Sequence, residues 1–148
     1  MDKEFSKLAA TNKFFLIALI IWVALQISRL IAFTLIDSIN AGTDSEAWRY
    51  PAYLDLFAAF LAPPLMWAIW KYRGLLTWTA TITYLAISIV DHCGNFVTTT
   101  FVAPPSIAEG MDPYLVPVIQ TALDIVFVVL LLLPRFRRLF FRTEAALT

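Results

Sequence analysis

Apolar residues fall into four long runs, and short polar segments separate them. The runs cover residues 14–36, 53–70, 75–96 and 114–133. A helix needs about 20 residues to cross about 30 Å of hydrocarbon, and each run is close to that length. The pattern therefore predicts an all-α protein: one domain, built as a four-span transmembrane helical bundle in which the helices alternate up-down-up-down.

The charges between the runs predict how the bundle is oriented. Basic residues concentrate before the first run, between the second and third, and after the fourth: Lys3, Lys7, Lys13, Lys71, Arg73, Arg135, Arg137, Arg138 and Arg142. The other two connections, residues 38–51 and 98–113, contain Arg49 as their only basic residue, together with several acidic ones. Since cytoplasmic connections are enriched in Lys and Arg, both termini and the tail at 135–148 are predicted to be cytoplasmic, with 38–51 and 98–113 as outer loops of a plasma-membrane protein.

Composition supports the membrane assignment and excludes several classes of function. The chain of 148 residues is 60% hydrophobic and 15% charged, with no net charge, whereas soluble domains are about half apolar and about a quarter charged. Nothing in this charge distribution points to nucleic acid as a partner. Cys93 is the only cysteine and His92 the only histidine, which excludes an intrachain disulfide and a haem held between two histidines. We expect no metal site and no cofactor.

The third run contains a stripe of polar residues with helical spacing. Its members alternate at intervals of four and three: Thr77, Thr81, Tyr84, Ser88, Asp91 and Asn95. At 3.6 residues per turn these positions share one face. Polar side chains on such a face avoid lipid and turn toward the bundle interior or a water-filled pocket.

The other runs carry polar residues that alternating helices would bring to the same outer half. Gln26 and Arg29 lie in the first run, and Gln120 and Asp124 are one turn apart in the fourth. A charged side chain at mid-membrane costs about 2.5–3.5 kcal/mol, so isolated charges are expensive there. We therefore expect Arg29 to pair with Asp91 or Asp124. Asp37 and Asp55 are predicted to lie close enough to water that their charges need no special explanation.

These residues define a predicted ligand pocket, and a purely structural role stands beside it. The predicted ligand-binding set is Gln26, Arg29, Tyr84, Ser88, Asp91, His92, Asn95, Gln120 and Asp124. Asp91 and Asp124 are candidates for acid–base catalysis, and His92 is a candidate proton relay because its charge changes near neutral pH. Buried ion pairs also serve only to hold helices in register. Whether the chain is an enzyme stays open.

Three functions fit the pattern. The first is a bundle that binds a lipid-like, amphipathic molecule in an outward-opening pocket. The second is a non-catalytic subunit that packs against partners or copies of itself in a larger membrane complex. The third, an oligomeric ion or proton pathway, is disfavoured because the inner halves of the runs are almost wholly apolar. The chain has no Gly-rich phosphate loop, no HExxH motif and no Ser-centred nucleophile elbow that would name a reaction.

Overall fold

The described residues of the protein, 10–110 and 112–141 of a computed structural model, are almost all helical and include no strand. They form six α-helices: α1 (Ala10–Leu25), α2 (Ala32–Asn40), α3 (Arg49–Lys71), α4 (Leu75–Phe101), α5 (Leu115–Leu132) and α6 (Pro134–Phe141). The predicted all-α class is therefore confirmed. Residues 1–9 and 142–148, which include Lys3, Lys7 and Arg142, lie outside the described residues.

A six-residue 3₁₀ segment, Gln26–Ile31, joins α1 to α2 without interrupting the helix. The helical run from Ala10 to Asn40 is 31 residues long, so it exceeds the predicted run of residues 14–36 at both ends. A 3₁₀ helix has three residues per turn, and side chains at positions i and i+3 therefore eclipse each other. Gln26 and Arg29 are so related, which brings their side chains together.

Three of the helical runs are long and apolar enough to cross a membrane: Ala10–Asn40, Glu46–Lys71 and Leu115–Leu132. Helix α4 has 27 residues but is not among these three. Its polar stripe lowers its mean hydropathy, because every third or fourth residue is a hydroxyl, amide or carboxyl side chain. The crossing along α4, and with it the four-span arrangement, stays a prediction.

Two helix boundaries differ from the predicted ones in ways that affect the site. Helix α3 begins at Arg49, where the apolar pattern placed its start near residue 53. Pro51 falls in the first turn, a position that proline favours because its missing N–H would have no helical partner there. Helix α4 continues to Phe101 rather than ending near residue 96. Pro63 and Pro64 lie inside α3, which continues through them as helix.

Charged residues separate to the two ends of the helices. One end, the basic end, holds the start of α1, the α3–α4 turn and helix α6. Its described basic residues are Lys13, Lys71, Arg73, Arg135, Arg137 and Arg138. The opposite end, the acidic end, holds the α2–α3 and α4–α5 connections. Its described acidic residues are Asp37, Asp44, Glu46, Glu109 and Asp112.

Helix α6 closes the basic end of the bundle. Its Leu139 and Phe140 are buried, and the ring of Phe136 stacks on Phe15 of α1 at 4.2 Å between centroids. The guanidinium of Arg137 lies 5.3 Å from the ring centroid of Trp78 on α4. Because the apolar side of α6 faces the helices of its own chain, its exposed side is the arginine-bearing one.

The two connections at the acidic end are tied to each other. The backbone N–H and hydroxyl of Ser106 donate to the two carboxylate oxygens of Asp44 at 2.9 and 2.6 Å. The indole N–H of Trp48 donates to the backbone carbonyl of Ala103 at 3.0 Å. Trp48 and Ile107 also pack with Leu35 in a small apolar cluster beneath these bonds. The two connections thus form a cap over this end.

Candidate functional site

Arg29 is the centre of a buried polar cluster that joins three helical runs. Only 5% of the residue is exposed. Its partners come from the 3₁₀ segment, from α3 and from α4: Gln26, Asp55, Ser88, Asp91 and His92. These six residues are called the Arg29 cluster below.

Each N–H group of the Arg29 guanidinium has an acceptor. Nε donates to the amide oxygen of Gln26 at 2.7 Å. Nη1 donates to Asp55 at 3.0 Å and to Asp91 at 2.7 Å. Nη2 lies 2.6 Å from the hydroxyl of Ser88 and 2.6 Å from Nε2 of His92. A guanidinium has five N–H donors, so these five bonds leave none for a ligand unless one of them is given up.

The contact with Arg29 determines the tautomer of His92. Arginine is a donor only, so Nε2 of His92 must accept and the ring proton of the neutral imidazole sits on Nδ1. That Nδ1 atom is buried and has no hydrogen-bond partner among the described residues. His92 itself is 2% exposed.

Asp124 lies beside the Arg29 cluster rather than on Arg29. Its Oδ1 accepts a 2.6 Å hydrogen bond from the indole N–H of Trp22. Its Oδ2 has no hydrogen-bond partner among the described residues; it lies 3.6 Å from Nε2 of His92, which is too long for a hydrogen bond. Of the two predicted pairings, Arg29 therefore makes the one with Asp91, and Asp124 instead fastens α5 to α1.

The stripe on α4 faces the interior of the bundle over most of its length. Thr77, Thr81, Tyr84, Ser88 and Asp91 are buried. The hydroxyl of Tyr84 donates to the backbone carbonyl of Ala58 at 3.0 Å, so this predicted ligand residue already bonds α3. At the acidic end of the stripe Asn95 is half-buried, and its enclosed amide oxygen has no partner.

Gln120 of α5 is a predicted site residue that makes no hydrogen bond to the Arg29 cluster in the described part of the chain. It is half-buried, one turn nearer the acidic end than Asp124. Its side chain makes no hydrogen bond to another described residue. Among the described residues, no three His, Cys, Asp or Glu side chains are arranged to hold a metal ion.

The sequence pattern missed two contributors, Asp55 and Trp22. Asp55 was expected to lie near water because α3 was expected to begin later; the actual start at Arg49 puts Asp55 about 9 Å along the helix axis. Trp22 is absent from the predicted ligand-binding set, yet it is buried and donates to Asp124. The sequence did contain a signal for the earlier helix start. Proline favours the first turn of a helix, and Pro51 lies two residues after Arg49, where the helix begins.

A cavity of about 240 Å³ lies between the Arg29 cluster and the cap. Its walls are mainly apolar, with Trp48 and Ile107 from the cap and Leu35 and Val116 from the helices. Asp55 and Asn95 line it from the side of the cluster. The side chain of Asp55 is 24% exposed and its carboxylate bonds Arg29. Asp55 therefore connects the buried charges to this cavity, called the acidic-end cavity below.

Other concave surfaces lie along the sides of the helices. His92, Phe96, Val118 and Ile125 line a groove between α4 and α5, with a volume of about 450 Å³. Its surface is almost wholly apolar. It differs from the acidic-end cavity in having no carboxylate on its wall.

Comparison with protein-family models, with curated proteins and with solved structures finds no match to this chain.

Proposed function

We propose that this chain is a multi-pass plasma-membrane protein with four crossing helices, and that it binds an amphipathic ligand in the acidic-end cavity. Three of the crossings would be the helical runs that are long and apolar enough, Ala10–Asn40, Glu46–Lys71 and Leu115–Leu132. The remaining crossing would be α4, whose 27 residues extend about 40 Å against about 30 Å of hydrocarbon. Its outward residues suit lipid, since Leu76, Val90 and Val97 are exposed while its polar stripe is turned inward.

The separation of charge supports cytoplasmic termini. With four crossings, the basic end would carry the start of α1, the α3–α4 turn and α6, all on one side of the bilayer. Lys and Arg are enriched on the cytoplasmic side, which makes the basic end the inner one. The acidic end, the cap and the cavity beneath it would then lie at the outer face.

The connection of the cavity to buried charge through Asp55 is the observation that carries the ligand proposal. Ligand sites are concave and mostly apolar, with a few polar groups that fix the ligand's orientation. The acidic-end cavity has this character, with Asp55 and Asn95 on one side and apolar walls elsewhere. At about 240 Å³ it suits a small amphiphile or one end of a larger one.

Within this proposal the buried residues have different roles. Arg29 holds Asp55 in place through the bond at Nη1 and would act on the ligand through Asp55 rather than directly. Asp91, His92 and Asp124 lie behind Asp55, and none of them lines the acidic-end cavity. A proton exchanged with the ligand would therefore pass through the carboxylate of Asp55.

A second function, that of a non-catalytic subunit of a membrane complex or homo-oligomer, is favoured by a different observation. The five bonds of Arg29 all end within the chain, which is what a purely structural brace requires. Helix α5 also exposes most of its surface, with Asp124 and Leu131 as its buried residues. Lipid or a protein partner would cover the rest.

Co-purification distinguishes the two functions. The protein is purified from its native membrane and analysed intact by native mass spectrometry, beside Ala108→Phe, which fills the cavity, and Ala86→Phe, an exposed position on α4 as the matched control. Ligand binding predicts a bound molecule of defined mass on the wild type and on Ala86→Phe that is missing from Ala108→Phe. Identical spectra for all three proteins would reject ligand binding in the cavity and favour the structural role.

A further inference from the structure

The charged groups on the wall of the acidic-end cavity are all of one sign. Asp55 and Asp112 contribute carboxyl groups, and no Lys, Arg or His side chain of the described residues lines the cavity. The other polar lining residues, Asn95 and Thr99, are neutral. The part of the wall formed by described residues therefore offers a ligand two carboxyl groups and no basic side chain.

The charges behind the wall do not reverse this sign. Asp55, Asp91 and Asp124 supply three carboxyl groups, and Arg29 is the cation among them. The neutral tautomer of His92 adds no charge. Among the described residues, Asp91 Oδ1 and Asp124 Oδ2 are buried acceptors without a hydrogen-bond partner, and Gln26 Nε2 and His92 Nδ1 are buried donors without one. An anionic ligand group at Asp55 would meet carboxylates without a free cation to bind.

Arg49, the described basic residue of the acidic end, does not bring a positive charge to the cavity. Its guanidinium is held by the carboxylate of Glu46 at 2.6 and 2.8 Å and by Asn40 at 2.9 Å, at an exposed position. It is not part of the cavity wall. Among the described residues, the aromatic side chain on that wall is that of Trp48, and an indole ring attracts cations to its face.

We infer that the ligand of the acidic-end cavity carries a cationic head, and that its class is an amphiphilic amine whose ammonium group binds Asp55 while its alkyl portion lies along the apolar walls. This inference rests on the proposed function, because it specifies the ligand of the same cavity. An ammonium is a donor with no acceptor, which matches a wall whose charged groups are acceptors.

Three probes with the same chain length test the head group: decylamine, decanol and decanoate. Binding to the protein in nanodiscs of zwitterionic lipid is measured by calorimetry, with the signal from empty nanodiscs subtracted. The variants are Asp55→Asn, Asp112→Asn and Ala108→Phe, with Asp37→Asn, an exposed carboxylate that does not line the cavity, as the control. Asp112→Asn keeps the test valid if Asp55→Asn fails to fold through loss of its bond to Arg29.

The inference predicts that decylamine binds about tenfold more tightly than decanol, as expected for a charge-assisted hydrogen bond. Asp112→Asn is expected to weaken decylamine binding severalfold, Ala108→Phe to abolish it, and Asp37→Asn to leave it unchanged. If decanol or decanoate binds as tightly as decylamine and Ala108→Phe removes that binding, the cationic head is rejected while the ligand site stands. If Ala108→Phe changes the binding of none of the three probes, the proposed function fails as well.

Discussion

The indole N–H of Trp22 and the carboxylate of Asp124 meet at 2.6 Å between Nε1 and Oδ1, across the interface of α1 and α5. Both residues are buried, and Asp124 is fully enclosed. The bond satisfies one carboxylate oxygen of a residue that is otherwise expensive to hold among apolar side chains. It gives α5 a polar attachment to the first helical run.

Removing this donor should destabilise the protein. Trp22→Phe keeps an aromatic ring but leaves Asp124 Oδ1 without its partner, and an unpaired buried polar group costs about 1–3 kcal/mol. The matched control is Trp67→Phe, because Trp67 is 57% exposed. Unfolding in detergent, followed by circular dichroism, should show a lower free energy of unfolding for Trp22→Phe and not for Trp67→Phe. Equal stability of the two variants would mean that the bond to Asp124 contributes nothing measurable.

Substituting Arg29 should have a larger effect. Arg29→Met leaves the buried carboxyl group of Asp91 and the half-buried one of Asp55 without their cation, and a broken buried pair costs about 3–5 kcal/mol. Arg29→Lys should recover part of the loss, because an ammonium keeps the charge but cannot supply five donors in one plane. The free energy of unfolding of each variant is obtained by denaturant titration in detergent.

Arg49→Met is the control for the Arg29 series. Arg49 also bonds a carboxylate, that of Glu46, but at an exposed position where solvent screens the pair. We therefore expect Arg49→Met to lower the free energy of unfolding much less than Arg29→Met does. If Arg49→Met and Arg29→Met lowered the free energy of unfolding equally, burial would not explain how much the Arg29 cluster contributes to stability.

Part of this cluster could be predicted from the sequence because helical spacing is a strong signal. The intervals of four and three along α4 predicted one polar face, and the cost of isolated charge in hydrocarbon predicted the pairing of Arg29 with Asp91. Both arguments need only the residue types and a helix of 3.6 residues per turn. The acidic and basic ends likewise follow from the charges between the apolar runs.

The rest depended on features that the apolar pattern does not record. The 3₁₀ segment Gln26–Ile31 lies in a continuous apolar run, so nothing in that run marks the change of helical period that brings Gln26 onto Arg29. Asp55 was misplaced because amphipathic residues at the start of α3, such as Tyr50, hide the helix boundary. The role of Trp22 was missed because one indole suits both a membrane interface and a buried hydrogen bond.

The four-crossing arrangement makes a prediction about which connections share a side of the membrane. In a Cys93→Ser background, single cysteines are introduced at the exposed positions Ala41, Ala103 and Lys71. A membrane-impermeant maleimide applied to intact cells should label Ala41→Cys and Ala103→Cys. Lys71→Cys should react only after the membrane is made permeable, because it lies at the predicted cytoplasmic end.

The labelling pattern separates four crossings from three. If α4 does not cross the bilayer, Ala103→Cys falls on the same side as Lys71→Cys, and the two react together. Labelling of Ala41→Cys alone among the three in intact cells would therefore contradict the crossing along α4. Denatured samples of each variant, labelled to completion, control for expression.

Whether the acidic-end cavity holds a ligand can be measured in a crystal structure of the protein, purified from its native membrane and crystallised in a lipidic phase. We predict non-protein density in the acidic-end cavity, in contact with the carboxylate of Asp55, while that carboxylate stays bonded to Nη1 of Arg29. A cavity closed by Trp48 and Ile107 packing against Asn95, with no ligand density, would contradict ligand binding there. So would an Arg29 side chain directed away from Asp55 and Asp91.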